Sequence, residues 1–316
     1  MLTVLLATKN RAALLQQVLE SFCGLKTPAG GWKLVVVDNG STDPTAQTLA
    51  SFSGRLPLHS VFEAKRGKNY ALNAGLARIE GDLTVMTDDD VFPHADWLVE
   101  LRKAADTQPE YTMFGGAIVP RWEVPPPEWI SWIADPGPVY TLTFPSQKNG
   151  PIEPYMVFGP NYAVRNSVFA QGMRFDPAIG PSGASYAMGS ETEFLMRLGR
   201  AGHKAYFVSE AVVEHFIRKE QIDKSWVLER AVRWGRGRFR MSLSQKLWFG
   251  LPRHLFRDMP KEALNVAAAW MTFRQPALFR ARWRYNTLRG MATEARTMAR
   301  ESCSAPQTVE ASRQAH

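Results

Sequence analysis

Apolar residues fall in short dense runs near the start of the chain, with spaced stripes between them. Thr3–Thr8 and Leu34–Val37 are almost wholly apolar, as strands buried on both faces of a parallel sheet are. Leu58–Phe62 and Leu83–Thr87 are two further strand candidates. After the first run, Leu14, Leu15, Val18, Leu19 and Phe22 recur at helical spacing, with Asn10 placed to cap. Thr42 or Asp43 can cap a second helix to about Phe52; Asn69–Ile79 and about Ala95–Ala105 read as a third and a fourth. Strand and helix alternating four times predicts an α/β fold with a doubly wound, mostly parallel sheet. Ligands of such sheets sit at the carboxyl ends of the strands. Two of those ends carry Asp38 and the run Asp88-Asp89-Asp90.

The pattern changes between Pro120 and Pro160, which hold ten prolines along with Trp122, Trp129, Trp132, Tyr140 and Phe144. A long Pro-rich, aromatic segment inside a domain suits a binding loop or lid, or a structural cover over the sheet. Pairing is expected to resume near Tyr155–Phe158. Glu191–Ala201 reads as a helix stopped by Gly202, Lys204–Val208 as a strand and Lys224–Ser244 as a long basic helix.

Composition narrows the classes. Of 316 residues, 45% are hydrophobic and 22% charged, which excludes wholesale disorder. Cys23 and Cys303 are the only cysteines, so a disulfide scaffold or cysteine zinc site is excluded and a reducing compartment fits. The N-terminus lacks the basic region and cleavage site of a signal peptide, and no apolar run has the length of a spanning helix. A cytoplasmic protein is expected.

Charge is uneven. Residues 1–217 hold 18 Lys/Arg and 22 Asp/Glu, whereas residues 218–316 hold 20 and 8 together with five of the ten tryptophans. That asymmetry suggests a polyanionic partner, either membrane or nucleic acid, or else a solvated helical surface. Arg233, Arg236, Arg238 and Arg240 form a dense group around Trp234; Leu247, Trp248, Phe249, Leu251, Leu255 and Phe256 follow beside Arg253 and Arg257. A basic helix with aromatics on its apolar side lies in a membrane interface without crossing it.

Three adjacent carboxylates repel one another, and a divalent cation with oxygen ligands would relieve them. Mg2+ is typically held by one or two carboxylates plus substrate phosphates. With strand geometry continued, Asp88 and Asp90 would project alike and Asp89 oppositely. Asp38, in Val36-Val37-Asp38-Asn39-Gly40-Ser41-Thr42-Asp43, can accept from a base N–H or a ribose hydroxyl, while the residues after it are turn and capping chemistry.

Together with Thr3–Arg11, Arg66–Leu76, Gly159-Pro160-Asn161, Gly189–Glu193 and His215, these segments resemble, in the same order, glycosyltransferase family 2, inverting nucleotide-sugar enzymes of the GT-A fold. The resemblance implies a Rossmann-like mixed, mostly parallel sheet flanked by helices, with a basic helical C-terminal extension. It implies that Thr8 and Asp38 hold the base, usually uracil, and that Asp88 and Asp90 form the DxD motif. Asp90 and His215, with Asp88, would hold Mg2+ or Mn2+. Further donor contacts would come from Asn10, Arg11, Gly67, Lys68, Asn73, Asp89 and Asn161. The family's catalytic base is the second of two adjacent acids; this chain has Ser190-Glu191 there, which leaves Glu191 as base and Glu193 as rival. Arg230-Ala231-Val232-Arg233-Trp234 is similar to the QxxRW motif of processive synthases, with Arg230 in place of Gln.

The expected organisation is a catalytic domain over 1–218, with a donor half 1–115 and an acceptor half 116–218. A basic amphipathic extension over 219–300 and a disordered tail over 301–316 follow. The expected partners are a nucleotide diphosphate sugar, a glycan or lipid-linked acceptor and the anionic inner face of the cell membrane, with no nucleic acid. A nucleotidyltransferase, or a non-catalytic module binding an anionic membrane or nucleic acid, is the alternative. The first usually carries a Gly-rich loop after strand one, and Ala7–Arg11 has no glycine.

Overall fold

The computed structural model describes residues 1–180, 186–242 and 246–304, with side chains to residue 300. The chain divides into two compact units, Met1–Val227 and Leu228–His316.

The first unit begins β1 (Leu2–Thr8), α1 (Ala12–Phe22), β2 (Trp32–Asp38), α2 (Thr45–Phe52), β3 (Leu58–Phe62), α3 (Lys68–Gly75) and β4 (Leu83–Met86). β3, β2, β1 and β4 lie side by side in that order and run parallel. Leu34–Val37 and Leu2–Leu6 are buried, so the apolar runs are the centre of the sheet. α1 covers it with Leu15, Val18, Leu19 and Phe22. α3 lies so close that a Cβ on Gly75 would stand 2.4 Å from Leu5 Cδ1.

The chain continues through β5 (Val91–Pro93), α4 (Trp97–Thr107), β6 (Met113–Trp122), α5 (Pro136–Tyr140), β7 (Gly150–Ile152), β8 (Tyr162–Arg165), α6 (Ser167–Ala170), α7 (Ser190–Arg200) and β9 (Ala205–Ile217). The sheet extends from β4 through β8, β6 and β9 to β5, and β7 pairs with β9. β8 is antiparallel to both neighbours and β6 runs parallel to β9, so this half is mixed. The strand expected near Tyr155–Phe158 is instead a single tight turn at Pro154–Met156, where Pro154 cannot donate to a ladder. β9 is longer than Lys204–Val208 because three extra residues bulge out: β6 Gly116 pairs with Val208, but the next residue, Ala117, pairs with Val212.

The second unit contains most of α8 (Lys224–Met241), then β10 (Leu247–Trp248), β11 (Leu251–Pro252), α9 (Leu255–Met271) and α10 (Gln275–Ser304). The backbones of α8 and α10 touch at two glycines: a Cβ on Gly235 would lie 1.9 Å from the Thr287 carbonyl oxygen. Glu294 is fully buried there and accepts from Arg236 Nε at 2.5 Å and from Arg240 Nε. These two arginines therefore serve internal pairing rather than the surface group expected of 233–240. α10 continues to Ser304, past the expected ordered end at 300, while residues 243–245 of the expected α8 and residues 305–316 of the expected tail lie outside the described residues. Among the described residues no helix is long and apolar enough to cross a membrane.

Candidate active site

The site lies at the carboxyl ends of β1, β2 and β4. Thr8 pairs with Asp38 in the sheet, and the loops beyond are laced together. Asp38 Oδ1 accepts from Ser41 N at 2.8 Å. Asn10 takes φ 53°, a left-handed conformation that asparagine tolerates, and its Oδ1 accepts from Thr42 N at 2.7 Å. Asn10 therefore does not cap α1. Asp43 does, accepting from Ala12 N at 2.9 Å with one oxygen and from Thr45 N, at the start of α2, at 3.2 Å with the other.

Strand geometry stops at Met86, and the three aspartates do not alternate. Thr87 Oγ1 donates to the Pro160 carbonyl at 2.8 Å. Asp88 Oδ1 accepts from Lys68 Nζ at 2.5 Å. Asp89 accepts from Thr8 Oγ1 at 2.7 Å and from Arg11 Nη1 at 2.6 Å, and the same nitrogen reaches Asp90 at 2.9 Å. Asp89 and Asp90 thus share Arg11, and Asp88, expected as a third metal ligand, pairs with Lys68 instead. The chain's own cations meet much of the repulsion that the sequence pattern assigned to a divalent ion. Burial pushes Asp89 up to about 6 against the pull of Arg11. At Asp90 burial also works upward, but His215 and Arg11 outweigh it and hold the carboxylate below its usual range.

Glu191 opens α7. Gly189, at φ 105°, turns the chain into the helix. Ser190 Oγ donates to Glu191 Oε2 at 2.8 Å, and Lys68 Nζ donates to Oε1. Burial favours the neutral acid, but Lys68 more than offsets it, so the Glu191 pKa is lowered. Burial likewise disfavours the Lys68 charge, and Asp88 and Glu191 together keep it ionised well above its ordinary range. Gly159 leaves room for this arrangement, since a Cβ there would stand 3.0 Å from Glu191 Cδ. Glu193 is held by Arg197 at 2.9 and 3.0 Å and takes no part in the cluster.

His215 reaches the acidic turn through sheet register, because β5 places Val91 opposite His215 and Phe216 N donates to Asp90 O at 2.9 Å. The ring Nδ1 lies 2.7 Å from the Tyr140 carbonyl. A carbonyl only accepts, so Nδ1 donates to it, and Nε2 stands 3.6 Å from Asp90 Oδ1. With Nε2 unprotonated, this nitrogen and Asp90 Oδ1 would hold a cation between them, and a backbone carbonyl behind a ligating histidine is the usual support. Among the described residues no three His, Cys, Asp or Glu side chains converge on one point. The donor set fits Mg2+ or Mn2+ as two protein ligands completed by phosphate oxygens. Tyr140 is itself held by its hydroxyl on the Gln221 carbonyl at 2.9 Å and by the rings of Trp122 and Trp226. The aromatic segment thus backs His215.

Two expected donor contacts are occupied within the fold. Asn73 is bonded through both ends of its amide to the Phe175 backbone, at 2.8 and 3.0 Å. Asn161 is fully buried; its Nδ2 donates to the carbonyls of Ala117 and Ala211 at 2.9 and 2.7 Å, and its Oδ1 accepts from Trp97 Nε1 at 2.8 Å. Gly67 starts α3 at φ 135°, its N–H donating to Asn39 Oδ1 at 2.8 Å. Sequence reasoning missed Ser190 as a partner of Glu191, although the two are adjacent. It also missed Tyr162, directly after Asn161. The Tyr162 hydroxyl is buried with no hydrogen-bond partner among the described residues, and burial, then Glu191, hold its proton on.

Residues 3–171 match the family described as Glycosyl transferase family 2. A glucosyl-dolichyl phosphate glucuronosyltransferase of Haloferax volcanii is 24% identical over 205 residues, covering 63% of this chain and 64% of its own length. A beta-monoglucosyldiacylglycerol synthase of Nostoc sp. is 28% identical over 103 residues, 31% of this chain and 22% of its own. The chain therefore spans less than two thirds of either relative. Among solved structures, the mannosyltransferase PcManGT of Pyrobaculum calidifontis, in complex with GDP-Man and Mn2+, shares the fold at a TM-score of 0.56 and 18% identity, over 96% of this chain and 76% of that one. S. aureus TarS 1-349 with UDP-GlcNAc gives 0.54 and 14%, over 95% and 92%. The family match covers more than half of the sequence: the chain belongs to glycosyl transferase family 2, as a glycosyltransferase on the GT-A fold.

Proposed function

We propose that this enzyme transfers a sugar, with inversion and with Mg2+ or Mn2+, from a nucleotide diphosphate sugar to a hydroxyl of a lipid-linked or saccharide acceptor. A UDP-linked donor is favoured, and the setting is glycan or cell-envelope synthesis at an anionic membrane surface. The donor is assigned to residues 1–115 and the acceptor to 116–218. The observation that carries this reading is the triad of Asp88, Lys68 and Glu191, in which one ammonium joins the acidic turn to a carboxylate at the start of a helix.

The reaction is one displacement. The acceptor oxygen bonds to the anomeric carbon as the bond from that carbon to the diphosphate oxygen breaks. The bonding pair leaves with the nucleotide diphosphate, and the hydroxyl proton passes to Glu191 Oε1. Glu191 is ionised and buried, as a base of this kind requires. An arriving diphosphate offers Lys68 and Arg11 new anionic partners, which releases Oε1 to accept the proton. Asp90 and His215 would hold the divalent ion, which supplies positive charge against the leaving diphosphate. The anomeric centre gains oxocarbenium character, and the nearby Asp88 carboxylate favours that charge. Thr8 Oγ1 is engaged by Asp89, so of the two proposed base contacts Asp38 has the freer oxygen.

Two relatives whose names specify lipid or polyprenol acceptors support the acceptor class. A donor panel of UDP- and GDP-sugars, assayed for hydrolysis with and without Mn2+, tests the proposal. Metal-dependent turnover of one donor is expected, and its loss in Glu191→Gln. Turnover of no donor, with no nucleotide diphosphate binding, would overturn it.

A further inference from the structure

α9 presents to solvent a face that its own unit does not cover. Phe256, Ala263, Leu264, Ala267, Trp270 and Met271 are all exposed. At 3.6 residues per turn they fall within an arc about 120° wide, along about 22 Å of helix. No charged residue occurs from 263 to 273. Leu264 is 71% exposed, Trp270 64% and Phe273, just beyond the helix, 82%. At the other end of the strip stands the β10–β11 hairpin. Its tip residue Phe249 is 97% exposed, and Trp248 lies 6.3 Å from the Phe256 ring. Below the strip the helix is anchored, with Leu255 packed on Met291 and Ala292 of α10.

The rim is basic. Lys246, Arg253, Lys261 and Arg274 are exposed around the strip, and Arg253 lies over the Trp248 ring at 4.3 Å. The neighbouring acids are paired or buried: Asp258 pairs with Arg257, Glu262 with Arg284, and Glu294 is buried. A second copy of the chain would bring this positive rim against itself. An anionic surface complements it, and an apolar strip of this depth needs an apolar phase to enter.

We propose that the hairpin tip and the exposed face of α9 dock the enzyme on an anionic lipid bilayer, with Phe249, Leu264, Trp270 and Phe273 inserted shallowly and the basic rim on the headgroups. The assignment rests on the membrane-side acceptor proposed above. It replaces the 233–240 group, two of whose arginines are used internally. A strip of this length with a basic rim lies in the interface plane and does not cross, and each rim cation adds salt-sensitive attraction.

The test is flotation of the full chain with equimolar phosphatidylcholine–phosphatidylglycerol vesicles at low salt. Wild type is expected to float. The double variant Leu264→Ser/Trp270→Ser should lose at least ~10-fold in partitioning, and Arg253→Glu/Lys261→Glu should abolish the salt-dependent part. Far-UV circular dichroism and vesicle-free donor hydrolysis should stay unchanged in both, so failure of the docking surface reads separately from failure of the transferase proposal. Absence of wild-type binding would overturn the proposal, as would unchanged partitioning of the serine variant. A dimer in light scattering that the serine variant dissociates would also overturn it and make this face a protein interface.

Discussion

Lys68 donates to Glu191 while its other contact is Asp88. The proposed base is thus held by a cation that has an alternative anionic partner on the donor side. Neither carboxylate could be buried this deeply alone, since burial opposes the charge of each. The ammonium keeps Glu191 ionised, and it must shift before Glu191 can accept a proton there.

Replacing Glu191 with Gln preserves the bond from Ser190 and removes proton acceptance. Transfer should fall by about 10²–10⁴-fold while donor affinity changes little. Initial rates and calorimetric titration with the donor check this; loss of transfer in Glu193→Gln instead would move the base.

Lys68→Met should shift the acid limb of the kcat/KM profile to higher pH. Lys68 is the main group that lowers the Glu191 pKa against burial, so without it only the bonds from Ser190 and the backbone oppose burial and the carboxylate protonates earlier on acidification. A profile that drops in height with its acid limb unmoved would show that Lys68 serves the donor alone.

Asp90→Asn removes a hard oxygen ligand opposite His215. Mn2+ affinity, read by electron paramagnetic resonance in the presence of nucleotide diphosphate, and donor turnover should both fall by at least ~10²-fold. Unchanged affinity would place the ion elsewhere.

Glu294→Gln should destabilise the second unit by about 3 kcal/mol or more, because Arg236 and Arg240 lose the carboxylate they share in the interior. Urea denaturation followed by tryptophan fluorescence measures it, and a change below about 1 kcal/mol would mean that the pair is hydrated in solution.

Asn161→Leu removes the acceptor of Trp97 Nε1 and a donor from each of the carbonyls of Ala117 and Ala211. At about 1–3 kcal/mol each, the loss should reach about 3 kcal/mol or more. It should also weaken Mn2+ binding, although Asn161 does not touch Asp90 or His215. Normal Mn2+ affinity in a destabilised variant would uncouple the two.

β1, β2 and β4 were legible because each is a short apolar run, and the ends of β2 and β4 carry charges. The acidic turn and Glu191 stood out for the same reason, as charges at strand and helix ends. What was hidden depends on long-range pairing. That Arg11 would serve two aspartates 78 and 79 residues away follows from the turn at Asn10 and the end of β4 at Met86, neither of which has a local pattern. Arg236 and Arg240 looked like surface charge because their partner, Glu294, is more than fifty residues on. Asn161 matched a motif in the expected order, yet its amide is filled by a β9 bulge that strand periodicity gives no sign of.

That bulge sets the phase of everything downstream in β9. Side chains alternate faces along a strand, so a one-residue slip between Val208 and Val212 would present Glu214 or Phe216 to the acidic turn in place of His215. With Glu214 the turn would face a fourth negative charge; with Phe216, no ligand. Asn161 grips the bulge at Ala211 and the partner strand at Ala117, and the Asp90–His215 pair inherits its alignment from that grip. Insertions or deletions within 209–211 should therefore be far more damaging than a substitution at Glu210, the exposed residue of the three, because they change which residue arrives rather than what it is.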